Sequence, residues 1–351
     1  MGICETHLWF GNRIVEIMFY IYYLIVFIAT LLFLALYLKI SRHYHWFDQP
    51  DESRKSHTFA KPTSAGIIFM LPSALMLILF PDILPFGTIQ MGCSLLFLIV
   101  LGGIDDFVPA SAKIRLVVIT LLSAGMLYTI DQQFPINRFL WVVYLLGLVW
   151  WINLYNFMDG ADGMAVLHAM ACLVGYFFIY VSIPSMELFM ILNLILLLFL
   201  CLLSFLLFNF PIAKMFMGDS GSLSIAFTLA VIAMYGLSLK LFDEILIISF
   251  HLVFIVDATL TLFTRLKYKH KLTQAHNLHY FQALIVDGKS HAYTSLLYLF
   301  ITVITVGTAL LLHFNETQWH IRLVILLFET VILSYFWFKF HNKTNFKRYL
   351  K

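Results

Sequence analysis

Charge is what this sequence has least of. Only 12% of its 351 residues are Asp, Glu, Lys or Arg, about half the roughly 25% of an ordinary soluble domain. Residues 17–38, 64–80, 89–104 and 188–212 carry none at all. Runs of that length exclude a single water-soluble core. A hydrocarbon layer about 30 Å thick takes about 20 apolar residues as helix, and a helix satisfies its own backbone N–H and C=O groups without water. Cysteine is scarce as well. Cys4, Cys93, Cys172 and Cys201 are scattered, and no pair has metal-ligand or redox spacing, so they read as small buried thiols. No internal repeat, low-complexity tract or inserted soluble domain interrupts the chain. The first apolar run lacks a small-residue cleavage site and is expected to remain as an anchor.

What is present is apolar: 62% of the residues are hydrophobic. They predict an all-α polytopic membrane protein, a single integral-membrane domain over 1–351. Eleven spans are expected at about 17–38, 64–80, 89–104, 114–130, 138–155, 164–182, 188–208, 222–240, 245–263, 292–312 and 320–338. Basic residues orient them. With the loop after the first span inside, eighteen Lys and Arg fall on the inside, against Arg13, Arg138, Lys240 and Arg322 outside. The N-terminus is then outside and the C-terminus cytoplasmic. The inside carries a loop at 39–63, a His-containing basic loop at 264–291 and a basic tail at 339–351. The outside loops are short.

Five polar clusters fall on that inside face. The first contains Asp48, Pro50, Arg54, Lys55 and His57, then Lys61-Pro62-Thr63-Ser64-Ala65-Gly66, with cations suited to phosphate. The second, Gly102-Gly103-Ile104-Asp105-Asp106, closes an apolar run. Two carboxylates there are costly unless paired, hydrated or metal-bound, and such a pair suits Mg²⁺ with phosphate oxygens or an acid–base role. Lys113 and Arg115 follow within reach of phosphate. The third holds Asn153, Asn156, Asp159 and Asp162 with Gly160 and Gly163. Its helical spacing makes one polar stripe, with amides for a base or sugar edge and carboxylates for metal or ribose. The fourth is Asn209, then Phe216-Met217-Gly218-Asp219-Ser220-Gly221-Ser222, a helix start whose N–H groups face an anion. The fifth has Arg265, Lys267, Lys269, Lys271, His276, His279, Lys289 and His291, with histidines as donors to pyrophosphate rather than as a zinc set.

In this order the clusters resemble the polyprenyl-phosphate N-acetylhexosamine-1-phosphate transferases, over residues 45–295 or so. The Ala-His-Asn-Leu-His-Tyr-Phe-Gln stretch from Ala275 is similar to the branch that initiates O-antigen and common antigen, rather than to the phospho-MurNAc-pentapeptide transferases, which remain the alternative. Two departures stand out: Ala65-Gly66 replaces a usual Gly-Gly, and Ile119 occupies a position often held by glutamine.

The resemblance implies transfer of N-acetylhexosamine-1-phosphate from a UDP-sugar to undecaprenyl phosphate, with release of UMP, in a bacterial inner membrane. It implies catalytic roles for Asp105, Asp106 and Asp162, and Mg²⁺ (or Mn²⁺) on Asp219 and Asp162. Substrate contacts would come from Lys61, Lys113, Asn153, Asn156, Asp159, Asn209, Phe216, His276 and His279. UDP-N-acetylhexosamine, undecaprenyl phosphate and membrane lipid are the expected partners, together with a second copy of the chain; nucleic acid is not. Direct displacement is preferred over an aspartyl intermediate. A transporter, the rival class, would place polar groups near the midplane and often repeat itself; here the carboxylates sit at one interface.

Overall fold

The computed structural model describes residues 2–44, 61–84, 86–108, 111–183, 186–269 and 278–343. Those residues are helical almost throughout. In order they form α1 (Gly2–Tyr44), α2 (Gly66–Leu79), α3 (Thr88–Phe107), α4 (Ala112–Gln133), α5 (Arg138–Met158), α6 (Met164–Val181), α7 (Met186–Asn209), α8 (Gly218–Ser238), α9 (Glu244–Phe250), α10 (Leu252–Lys267), α11 (Tyr280–Val286), α12 (His291–Phe314) and α13 (Trp319–Lys343).

Among the described residues nine helices are long and apolar enough to cross a membrane. The other two predicted spans differ from expectation. The run at 245–263 is not one helix: α9 and α10 meet at His251 with a 79° bend. The run at 64–80 gives only the 14-residue α2, shorter than a full crossing. The described parts of the 264–291 loop are more helical than predicted, because α10 runs on to Lys267 and α11 forms within it.

Helix starts follow local chemistry. Ser111, Asn137, Asp243 and Ser290 each accept a backbone N–H from the first turn of α4, α5, α9 and α12, which satisfies donors that have no intrahelical partner.

The bundle is built around α8. Its most apolar stretch is 94% buried, against 17% for α1 and 11% for α13. The peripheral helices turn apolar side chains outward, among them Leu32, Phe33, Phe139, Phe328 and Val331, as a lipid-facing surface requires. Small residues let α2 and α3 approach α8 backbone to backbone. A Cβ on Gly66 would lie 2.0 Å from the Gly221 nitrogen, and one on Gly102 would lie 2.4 Å from the Ser220 nitrogen. Gly66, the glycine retained at the departure from Gly-Gly, is thus the one whose place has no room for a side chain. These contacts set the end of α3 against the start of α8, and the site is built on that junction.

Candidate active site

The segment Lys61–Gly66 runs beside the start of α8. Phe216 N–H donates to the Pro62 carbonyl at 2.7 Å, and Gly66 N–H donates to the Met217 carbonyl at 2.9 Å. Gly218 then turns the chain into α8 with φ +69°, a left-handed conformation that glycine adopts without steric cost. A side chain there would also strike the Asp106 carboxylate, at 2.2 Å. Asp106 caps the helix. Its Oδ1 accepts the Asp219 N–H at 2.7 Å, and its Oδ2 accepts the Ser220 hydroxyl at 3.1 Å.

Asp219, held in the first turn of α8, gathers partners from distant segments. Arg115 Nη1 on α4 lies 2.5 Å from its Oδ2 and 3.0 Å from Asp105 Oδ2. Asn156 on α5 donates through Nδ2 to Asp219 Oδ1 and to the Ser222 hydroxyl, both at 2.8 Å. Asp105, Asp106, Arg115, Asn156 and Asp219 thus form one cluster, assembled from α3, α4, α5 and α8.

Asp159 caps the C-terminal end of α5. Burial, followed by the Asp219, Asp106 and Asp162 carboxylates, pushes its pKa up to about 8. Burial and the proximity of other carboxylates both disfavour the ionised form of Asp159, whereas the cationic partner in the cluster, Arg115, pairs with Asp105 and Asp219.

Asp162 has a different setting. Its Oδ2 accepts the Ala213 N–H at 2.9 Å and lies 3.8 Å from Lys61 Nζ, while its Oδ1 lies 3.3 Å from His291 Nδ1. Burial pushes the carboxyl up, but the His291 ring, the Ala213 N–H and the Lys61 ammonium outweigh it and hold the group below the usual carboxylate range. The same Lys61 ammonium sits 5.0 Å from the centre of the Phe216 ring, so Lys61 links the aromatic face to Asp162.

Other predicted residues take different positions. Asn209 is buried with both ends of its amide on backbone: Oδ1 accepts the Gly163 N–H at 2.8 Å and Nδ2 donates to Met215 at 2.9 Å. It ties the 160s turn to the segment before α8, where the expectation was a nucleotide contact. Asn153 donates to Val149 of its own helix at 2.7 Å. Lys113 is exposed on the first turn of α4, and Arg115 reaches the carboxylates instead. His279 begins α11, with Nδ1 3.8 Å from Asp257 Oδ1. Asp257 also accepts from Tyr280 N–H at 2.8 Å, Tyr298 hydroxyl at 2.6 Å and Trp337 Nε1 at 3.1 Å. Beside it, Phe281 lies where a Cβ on Gly160 would be, at 2.6 Å, so α11 packs onto the turn that carries Asp159. His276 lies outside the described residues, as do Asp48, Pro50, Arg54, Lys55 and His57.

Arg115, expected at phosphate, here pairs with Asp105 and Asp219; Ser222 and His291 lie within the clusters read from sequence but carry no assigned role there. Basic residues beside an acidic pair and a serine one turn into α8 were visible in sequence, but their partners were not.

A bundle of apolar helices long enough to cross a membrane, with acidic, amide and basic side chains gathered where α3, α4, α5 and α8 meet, defines a multi-pass membrane protein with a polar site. Comparison with known proteins then places it. The model of glycosyl transferase family 4 matches residues 88–237, from the start of α3 to the end of α8. A probable undecaprenyl-phosphate N-acetylglucosaminyl 1-phosphate transferase of Bacillus subtilis is 30% identical over 251 residues, covering 67% of this chain and 69% of that protein. A phospho-N-acetylmuramoyl-pentapeptide-transferase of Streptococcus sanguinis is 28% identical over 265 residues, covering 67% and 78%. The chain belongs to glycosyl transferase family 4.

Proposed function

We propose that this protein transfers N-acetylhexosamine-1-phosphate from a UDP-sugar to undecaprenyl phosphate on the cytoplasmic side of a bacterial inner membrane, as the first step of an O-antigen-type envelope polysaccharide. The observation that carries the proposal is the convergence on Asp219. Carboxylates, an amide and a guanidinium from four helices meet at the N-terminal end of the most buried helix. Family membership and the relatives' names favour the reaction class. The similarity to the Bacillus subtilis protein favours a hexosamine over the muramoyl-pentapeptide.

The reaction is a displacement at phosphorus. An oxygen of the lipid phosphate attacks the β-phosphorus of the UDP-sugar, the bond from that phosphorus to the bridging oxygen breaks, and UMP leaves. Several phosphate charges meet, so positioning and charge compensation carry the catalysis. Arg115 and Lys61 supply fixed positive charge. The first-turn N–H groups of α8 add partial positive charge. Asp106 keeps that first turn in place and acts as a positioning residue. Asp105, beside Arg115, is the carboxylate assigned to orient the acceptor phosphate.

The acidic cluster also fits a divalent cation. Asp219 and Asp159 are the residues assigned to hold Mg²⁺: Asp219 is the carboxylate on which the cluster converges, and Asp159 is a buried carboxyl raised by its neighbours, whose charge a cation would offset. Asp162 fits that task less well, because Lys61, His291 and the Ala213 N–H already compensate it. When bound, magnesium would neutralise the diphosphate and the departing UMP.

An apolar cleft of about 370 Å³ lies between α2 and α3, lined by Ile67, Ile99, Gly103, Ile104 and Phe107. It follows the last turns of α3, the helix that carries Asp105, and is assigned to the first isoprene units of the acceptor.

The test is UMP release by the purified full-length protein over a panel of UDP-sugars, with and without undecaprenyl phosphate. Release from a UDP-N-acetylhexosamine that requires the lipid phosphate is expected. Release that ignores the lipid acceptor, or none with any UDP-sugar, would overturn the proposal.

A further inference from the structure

A second group of potential ligands lies inside the bundle, away from the family's polar clusters. His168 and Cys172 sit one turn apart on α6. His251 sits at the bend between α9 and α10. All three are buried, with exposures of 0%, 0% and 3%. His168 Nε2 lies 3.1 Å from His251 Nδ1. Cys172 Sγ lies 3.6 Å from the first of these nitrogens and 3.5 Å from the second. The three atoms form a nearly equilateral triangle. Metal–nitrogen bonds of about 2.0 Å and metal–sulfur bonds of about 2.3 Å put ligand atoms about 3.3–3.7 Å apart, within a few tenths of an ångström of what is seen.

The rings are held for this arrangement. His168 Nδ1 pairs with the Thr302 hydroxyl at 3.1 Å, which leaves Nε2 aimed at the other two residues. Phe254 stacks on His168 with ring centres 3.9 Å apart, and Trp151 covers His251 at 4.1 Å. An outer hydrogen bond on a ligating histidine, and an apolar shell around it, are the usual supports of a metal site.

We propose that His168, Cys172 and His251 form a closed structural site for one thiophilic metal ion, which fastens α6 to the bend between α9 and α10. Charge selects the ion. A thiolate with two neutral imidazoles carries one negative charge. A monovalent copper ion makes the site neutral, whereas zinc leaves a net positive charge in an apolar interior, where net charge is costly. Thiolate and imidazole are also ligands that suit Cu(I). Binding displaces the Cys172 thiol proton, which passes to bulk buffer; no redox step is involved. The site would be structural: α6 follows directly on the turn that carries Asp162, and α10 carries the Asp257 that pairs with His279.

The experiment is elemental analysis of the tag-free full-length protein, purified in detergent without chelator, and again after incubation with Cu(I) under reductant. About one copper per chain is expected for the native protein and for Cys201→Ser, which alters a buried thiol elsewhere. Cys172→Ser should hold at least about tenfold less, and Thr302→Val should weaken binding about tenfold through the outer hydrogen bond. Metal loss should lower the thermal unfolding midpoint with no UDP-sugar present. X-ray absorption on the native protein should show both sulfur and nitrogen ligands, and needs no variant to fold. A native protein without bound copper or zinc in either preparation has a hydrogen-bonded cluster only, and overturns the proposal. Metal that lacks a sulfur ligand, or that Cys172→Ser retains in full, is adventitious and also overturns it. Stoichiometric zinc lost in Cys172→Ser would confirm the site and overturn the charge argument for copper.

Discussion

The Asp106 carboxylate accepts the backbone N–H of Asp219 at 2.7 Å. One member of the acidic pair thus supports the residue on which the cluster converges. Removing a cap of this kind costs about 0.5–2 kcal/mol. Asp106→Ala is expected to lower both thermal stability and UMP release. Asp106→Asn keeps an acceptor for the N–H, and its amide can donate to the Ser220 hydroxyl. It should therefore keep the unfolding midpoint close to native and retain more activity than Asp219→Asn. An Asp106→Asn enzyme that folds normally yet is as inactive as Asp219→Asn would show that Asp106 itself meets the substrate.

Asp219 carries the most partners in the cluster, so Asp219→Asn should lose about 10²–10³-fold in the rate of UMP release, the typical cost of removing one positioned electrostatic group. Its response to magnesium is the sharper readout. The half-saturating concentration should rise for Asp219→Asn and Asp159→Asn and stay near native for Asp162→Asn. An unchanged magnesium requirement in the first two variants would remove both from the metal site.

Arg115 and Lys113 are two positions apart, so at 3.6 residues per turn their side chains leave α4 on opposite sides. Only Arg115 reaches the carboxylates. Arg115→Ala leaves Asp105 and Asp219 without their shared counter-charge and should cost about 10²-fold or more in kcat/KM. Arg115→Lys should recover part of this, since an ammonium lacks the planar fork. Lys113→Ala should fall within about twofold of native, as expected for an exposed side chain. Equal losses at the two positions would contradict the assignment.

The same pair shows how far the sequence could be read. Positive-inside counting and the spacing of apolar runs brought the right segments to one face. They did not resolve which of two nearby side chains turns inward, because that depends on helix phase, and phase here is set by the packing of α4 on α5 and of α5 on α8. Asn153 and Asn156 share a stripe by spacing, yet only Asn156 reaches Asp219, while Asn153 bonds its own helix. The bend at His251 was hidden for a related reason. Hydropathy stays high across it, so nothing in composition marks the break. The seven residues of α11 are too few to show a helical period, and what places them is packing of Phe281 against Gly160 together with the hydrogen bond from Tyr280 N–H to Asp257.

Asp257 is a buried acceptor for three donors from α11, α12 and α13. Asp257→Ala leaves the buried Tyr298 hydroxyl without its carboxylate acceptor. Each buried unsatisfied group costs about 1–3 kcal/mol. The unfolding midpoint should fall, and amide hydrogen exchange should rise first in α11, at residues 280–286. Asp257→Asn keeps one carbonyl acceptor and should lose about half as much stability. Unaltered exchange in α11 would mean that Phe281 packing alone holds the segment.

Gly103 lines the apolar cleft beside α3. A Cβ there would meet only the end of the Ile67 side chain, at 2.8 Å, whereas one on neighbouring Gly102 would meet the backbone of Ser220 at 2.4 Å. Ile67 can rotate; the backbone of α8 cannot move without opening the core. Gly102→Ala is therefore expected to destabilise the fold. Gly103→Val should fold and narrow the apolar cleft. If the acceptor tail lies in that cleft, Gly103→Val raises KM for undecaprenyl phosphate several-fold, by about 0.8 kcal/mol for each methylene of the tail that the valine keeps out of the cleft, while KM for the UDP-sugar holds. A water-soluble acceptor with a single isoprene unit should be affected much less, because little of it reaches the narrowed region. Equal effects on both substrates would place the tail elsewhere on the bundle.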